Sequence, residues 1–143
     1  MFLKSVLTSV ITVSSIYGIA SAGEYAVRDL GQITSRDECM EAADFMMGQA
    51  LRNWHWNIDD TEKSKGGSTV FFYGVRKDIN SGSSRDYQID VSVYCPFYDG
   101  KFYGQLIVHH SRDGENPLRT ADKLEYFFRE GIKTLHYMKA NGR

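Results

Sequence analysis

The sequence predicts an α+β domain in which a helix near each end packs against an antiparallel sheet. Three features predict this class: an apolar helical stripe that follows Ser35, an alternating strand that ends at Cys95, and a second helical stripe before Asn141. For this order of elements, the simplest architecture is a meander of three or four strands with both helices on one face.

The first 22 residues carry the pattern of a secretory signal. Lys4 supplies the positive start, residues 6–19 are uncharged and largely apolar, and Ala20-Ser21-Ala22 supplies the small residues of a cleavage site. An uncleaved anchor is the alternative, because residues 5–23 are uncharged and close to the minimum length that spans a bilayer. We favour cleavage after Ala22, which leaves residues 23–143 as one domain, without a membrane anchor, in the periplasm or outside the cell.

The charge balance of the chain is close to neutral. It contains 17 lysines and arginines against 18 aspartates and glutamates, a formal net charge of −1. Removal of the signal takes away one positive charge, Lys4, and changes this charge from −1 to −2. Neither balance favours nucleic-acid binding, which needs a basic surface.

The first helix is predicted to begin after Ser35 and to end near residues 54–57. Ser35 and Glu38 form an S-x-x-E capping box, in which each side chain accepts a hydrogen bond from the other residue's backbone N–H. Apolar residues then recur at helical spacing, at Cys39, Ala42, Ala43, Met46, Met47, Ala50, Leu51 and Trp54.

Alternating apolar residues and turn-forming residues predict the sheet. The predicted strands are a short edge strand at residues 24–30 and longer strands at 69–77, 87–95 and 102–111, joined by a polar connector at 59–68 and a loop at 78–85. Asp99-Gly100 predicts a type I′ hairpin turn, since both positions of that turn need a positive φ angle. The resulting register places Tyr98 opposite Lys101, Cys95 opposite Gly104, Val93 opposite Leu106 and Val91 opposite Val108.

The second helix is predicted to begin at Thr120 as its cap and to stop at Asn141-Gly142. Its apolar stripe consists of Leu124, Phe127, Phe128, Gly131, Ile132, Leu135 and Met138.

The two cysteines, Cys39 and Cys95, are predicted to form a disulfide that links the first helix to the sheet. An even cysteine count in an exported chain favours the bond, whereas two separate buried thiols are the alternative. Gly104, opposite Cys95, leaves space beside the predicted bond. A redox-active pair is not favoured, because the sequence contains no C-x-x-C motif.

His109 and His110 are neighbours on a predicted strand and point to opposite faces, so they cannot share one metal ion. The hairpin register places His110 opposite Ile89 on the inner face and His109 opposite Asp90 on the outer face. Asp90 and His109 resemble a catalytic dyad, because a carboxylate can orient an imidazole, and Ser92 lies diagonal to them. We favour an exposed cross-strand polar pair, since no nucleophile-elbow or oxyanion motif accompanies these residues.

No motif predicts a metal ion or a cofactor. The spacing of Asp59, Asp60 and Glu62 fits no calcium loop and favours a solvated loop. The glycines at Gly66-Gly67 and Gly82 lack the lysine and the following helix of a phosphate-binding loop.

Aromatic side chains are the candidate binding residues. The segment Trp54-His55-Trp56 can line a groove or an interface, or it can cap the core at the end of the first helix. We favour the core interpretation, because Trp54 continues the helical stripe, and expect Trp56 to be the more exposed tryptophan. The binding candidates are Trp56, Tyr94, Phe97 and Tyr98, together with the loop at 78–85. The outer sheet face is expected to carry Tyr94, Ile107 and Phe72 as an exposed patch, unless the leading segment or the long connector covers it.

These features favour a non-enzymatic binding protein of the periplasm or exterior, of the inhibitor or immunity type, whose partner is another protein. A small hydrolase or nuclease that uses Asp90 and His109 is one alternative. A structural envelope protein that forms a homodimer through the open sheet face is another.

Overall fold

The computed structural model of the protein describes residues 24–54, 56–77, 89–110 and 116–142. It contains an N-terminal helix, a C-terminal helix and an antiparallel sheet, which confirms the predicted α+β class. The elements in chain order are β1 (Tyr25–Ile33), α1 (Arg36–Trp54), β2 (Trp56–Asn57), β3 (Asp60–Lys63), β4 (Thr69–Lys77), β5 (Ile89–Tyr94), β6 (Phe97–Tyr98), β7 (Lys101–His110) and α2 (Pro117–Ala140).

Two expectations from the sequence fall outside the described residues: the signal at 1–22 and the loop at 78–85. Within the described part of the chain, no helix is both long and apolar enough to cross a membrane.

The sheet has the strand order β1-β7-β5-β4-β2, with β3 paired to β4 and β6 paired to β7. The long strands β4, β5 and β7 form the predicted meander, and β1 adds to the free side of β7 as an edge strand. β1 is longer than expected because a bulge between Asp29 and Gly31 lets its pairing continue to Ile33. Gly31 adopts a φ of 80° there, and its N–H donates to the Asp29 carboxylate at 2.8 Å.

The predicted polar connector contains strand β3, so the prediction of a plain connector is wrong. The Ser64 hydroxyl oxygen accepts hydrogen bonds from the N–H groups of Ser68 and Thr69, both at 3.1 Å. This tight turn folds the chain back along β4. Polar residues can then pair as a strand because all four positions of β3 remain exposed at the edge of the sheet.

The predicted hairpin register is confirmed. Asp99 and Gly100 have φ angles of 50° and 73°, as a type I′ turn requires. Tyr98 pairs with Lys101, Val93 with Leu106 and Val91 with Val108.

The core lies between one sheet face and the apolar sides of both helices. In α1 the predicted stripe is buried from Cys39 to Ala50. In α2 Leu124 and Phe128 are buried, but Met138 is 42% exposed. The predicted apolar stripe therefore continues beyond the part of α2 that packs in the core.

The predicted start of the second helix is wrong by one turn. Asn116 is the N-cap, and its side-chain oxygen accepts a hydrogen bond from the Leu118 N–H at 3.0 Å. Pro117 follows at the first helical position, where its missing N–H removes no helical hydrogen bond. Thr120 is buried inside the helix.

Candidate binding face

Side chains alternate between the two faces of a strand, so the pairings define the sheet face that the helices leave uncovered. We call this surface the outer face. It comprises Tyr25, Val27, Asp29, Asp60, Glu62, Thr69, Phe71, Tyr73, Asp90, Ser92, Tyr94, Gln105, Ile107 and His109. Within the described residues, no helix lies over it, because both helices bury their apolar sides against the inner face.

The middle of the outer face is largely apolar and aromatic, with the polar Ser92 between its apolar residues. Ser92 pairs with both Phe71 and Ile107, and Ile107 pairs with Val27, so these residues form one row across four strands. The rings of Phe71 and Tyr73 stack at 5.7 Å with an interplanar angle of 11°. The exposed large hydrophobic side chains of the face are Tyr25 (70%), Tyr94 (42%) and Val27 (41%).

Carboxylates border the aromatic pair. Asp60 pairs with Tyr73 and Glu62 pairs with Phe71, so the β3 carboxylates share a face with the two rings. Burial raises the pKa of the Tyr73 phenol, and the charges of Glu62, Asp90 and Asp60 raise it further, together with a hydrogen bond to Glu62. These three carboxylates therefore each contribute a negative potential at the Tyr73 hydroxyl.

The structure brings Asp90 and His109 together as the register predicted. They are cross-strand partners, and His109 Nδ1 lies 3.6 Å from Asp90 Oδ2. This distance suits an ion pair when the imidazole is protonated, but it is longer than a normal hydrogen bond. Both side chains are well exposed, at 44% for His109 and 38% for Asp90. His110, by contrast, is buried on the inner face opposite Ile89, as predicted.

The hairpin tip carries the two other exposed aromatic candidates. Tyr98 is 74% exposed and, by the alternation of the paired strands, lies on the same side as Tyr94. Phe97 is also exposed, but it lies on the opposite side, where its ring contacts that of Phe102 at 4.8 Å. Tyr98 and its cross-strand partner Lys101 therefore extend the outer face along the hairpin, and Phe97 does not.

Two expectations about individual aromatic residues are wrong. Trp56 is buried, because β2 turns its ring back onto Trp54, with centroids 4.4 Å apart. Trp54 is the more exposed of the two tryptophans, and it also contacts Phe127. Phe72 is buried on the inner face, and its neighbour Phe71 occupies the outer face instead.

The predicted disulfide between Cys39 and Cys95 is present, and it links α1 to the end of β5. Both cysteines are fully buried. Tyr94 pairs with Gln105 and Phe97 pairs with Phe102, and this common register places Gly104 opposite Cys95. The space over Gly104 holds β1 side chains, because a Cβ there would lie 2.9 Å from Leu30 Cβ and 3.0 Å from Ile33 Cδ1.

Sequence reasoning missed a buried ionic cluster at the start of α1. Glu38, whose side chain is only 1% exposed, accepts hydrogen bonds from the Thr34 N–H at 2.9 Å and from the Thr34 hydroxyl. Its other oxygen lies 2.7 Å from His136 Nε2 and 3.7 Å from Lys139 Nζ, both on α2. The capping box is thus altered: Ser35 caps the Glu38 N–H as predicted, but Glu38 binds Thr34.

In the described residues, no group of three or more His, Cys, Asp or Glu side chains is placed to hold a metal ion. Comparison with known proteins finds no family that matches the chain and no significantly similar characterised protein.

Proposed function

We propose that this protein is an exported binding protein without enzymatic activity, and that it binds a protein partner through the outer face. The observation that carries the proposal is a sheet face with exposed Tyr25, Val27 and Tyr94 beside the stacked rings of Phe71 and Tyr73. Aromatic side chains supply most of the binding energy in many protein interfaces. An inhibitor or immunity protein, which blocks an enzyme by occupying its surface, is the concrete form of this function.

The fold provides the rigid surface that such binding needs. The outer face is built on hydrogen-bonded strands, and the disulfide and two helices hold the opposite side of the sheet. A rigid surface loses little conformational entropy when it binds.

One structural observation supports export. The buried disulfide between Cys39 and Cys95 is suited to a non-reducing compartment.

Site-specific photo-crosslinking tests the proposed function. A photoreactive phenylalanine derivative placed at Val27 or Tyr25 should give one discrete crosslinked product in the exported fraction of the source cells. The matched control position is Tyr126, which is 60% exposed on α2, away from the outer face. Adding Ile107→Lys to the Val27 probe should remove the crosslinked product. The substitution would put a charge beside Val27, in the row that joins Phe71, Ser92, Ile107 and Val27. Absence of a product at the outer-face positions, or equal products at Tyr126, would overturn the proposal.

A hydrolase is the second candidate, and the contact between Asp90 and His109 favours it. It requires an activity on esters, peptides or nucleotides that is lost in both His109→Ala and Asp90→Asn. Activity that survives His109→Ala excludes this pair as the catalytic group.

A further inference from the structure

We propose that the partner inserts an arginine or lysine side chain at one corner of the outer face, against Asp60, Glu62, Phe71 and Tyr73. We call these four residues the acidic aromatic corner. The proposal rests on the proposed function, since it names the chemistry by which the outer face recognises a protein partner.

The geometry of the corner suits an organic cation. The pairs Asp60 with Tyr73 and Glu62 with Phe71 set each carboxylate directly across from a ring. The two rings are nearly parallel and partly exposed, so they present a common aromatic surface beside the carboxylates. Arginine and lysine bind such surfaces through the electron-rich ring face and through ion pairs with the carboxylates.

The charges around the acidic aromatic corner also favour a cation. The negative charges of Glu62, Asp90 and Asp60 all act on the Tyr73 hydroxyl, where they add to the effect of burial in raising its pKa. A cation placed there gains from the potential of several carboxylates at once, whereas a phosphate or a partner carboxylate is repelled.

A cationic partner fits the corner better than a second copy of the chain. The corner itself presents two carboxylates, Asp60 and Glu62, and Asp90 lies on the same sheet face. A second copy that docked corner to corner would therefore bring carboxylates to carboxylates. Like charges brought together disfavour such an interface.

Three short peptides test the proposal on the full exported protein with its disulfide intact. The probes are Ac-Arg-Val-Arg-Val-Arg-amide and its counterparts with glutamine or glutamate in place of arginine, titrated while backbone amide NMR signals are followed. We expect the arginine peptide to shift signals of β3 and β4 and to bind about tenfold more tightly than the glutamine peptide, from one cation–π contact and one or two ion pairs. The glutamate peptide should bind most weakly.

Variants then locate the binding. Glu62→Gln and Asp60→Asn should each weaken arginine-peptide binding by roughly threefold to fivefold, and Phe71→Leu should also weaken it without changing the salt dependence. Glu130→Gln, an exposed carboxylate on α2 that pairs with Lys133, is the matched control and should leave binding unchanged.

Several results would overturn the proposal. These are equal binding of the three peptides, no binding of any, shifts confined to other elements, or a concentration-dependent dimer with the same shifted signals. A face-specific crosslink without arginine selectivity would leave the proposed function standing and remove only this inference. Arginine selectivity without any crosslink would support a cation site at the corner and overturn the proposed protein-binding function.

Discussion

At the residue scale, Glu38 was expected only to cap the start of α1, but it also links α1 to α2 through His136 and Lys139. Burial by itself would raise the pKa of this carboxyl, but the hydrogen bonds from Thr34 and the interaction with His136 outweigh burial and lower it. The carboxylate is therefore held in its charged form between the start of α1 and the end of α2. Without these partners, a buried charge would be strongly unfavourable.

Replacing this carboxylate should lower the free energy of unfolding. Glu38→Gln should reduce it by about 1–3 kcal/mol at pH 7, because charge-assisted hydrogen bonds to a buried carboxylate are replaced by weaker ones. The control Glu41→Gln, exposed on the same helix, should change it by less than about 0.5 kcal/mol. Urea denaturation measures both.

The same variant has a defined pH dependence. The folded-state pKa of Glu38 lies below the unfolded value, so its stabilisation is fully present above the unfolded pKa and is lost as pH falls through the folded pKa. The difference between the wild-type protein and Glu38→Gln should therefore shrink as the solution is acidified below the usual carboxyl range. A difference that grows in acid would contradict this account.

At the element scale, the two helices cross where Gly131 of α2 meets α1. A Cβ at Gly131 would lie 3.0 Å from Phe45 Cδ1 and 3.3 Å from the Cα and carbonyl oxygen of Ala42. The backbone of Ala42 cannot move without moving α1, so this glycine sets the closeness of the helix pair. Gly48, also inside α1, has open space at its Cβ position.

Alanine substitutions at these two glycines should have opposite effects. Gly48→Ala should stabilise the protein by about 0.5–1 kcal/mol, because alanine favours the helix. Gly131→Ala gains the same helix preference but pushes the helices apart, and we expect a net loss of about 1–2 kcal/mol. Thermal unfolding of the two variants compares them directly. Stabilisation by Gly131→Ala would show that Phe45 and α1 can adjust.

At the scale of the whole molecule, the disulfide joins layers that are distant in the sequence. Cys39 and Cys95 are separated by 56 residues, and the closed loop includes most of α1 and all of β2, β3, β4 and β5. Closing a loop of this length restricts the unfolded chain and stabilises the fold by about 4 kcal/mol in the chain-entropy description.

The double variant Cys39→Ala with Cys95→Ala should have a free energy of unfolding that is roughly 3–4 kcal/mol lower than that of the wild-type protein. Residual structure in the unfolded chain makes this loss slightly smaller than the chain-entropy value. A reducing agent should lower the midpoint of urea denaturation for the wild-type protein and leave that of the variant unchanged. Equal midpoints for the oxidised wild-type protein and the variant would contradict the predicted contribution.

Local patterns in the sequence were sufficient for the fold class, the disulfide and the hairpin. The Asp99-Gly100 turn and the alternation of β5 and β7 each specify the same register, so the pairing of Asp90 with His109 followed from the sequence. Local signals also exist for Asn116-Pro117 as a helix start, and sequence reasoning passed over them.

Other features depended on contacts between distant parts of the chain. Phe71 and Phe72 are both apolar, so the pattern could not say which one faces outward; the pairing with β5 decided it. Trp56 is buried because β2 pairs with β4 and returns the ring to Trp54. Glu38 is buried because α2 supplies a partner 98 residues away. By itself the sequence determined the two helices, the long strands and the hairpin register, since these depend on spacing and turn chemistry. Only the tertiary structure decided which residues of β3 and β4 join the outer face and which charges are buried, because packing between distant segments settles both.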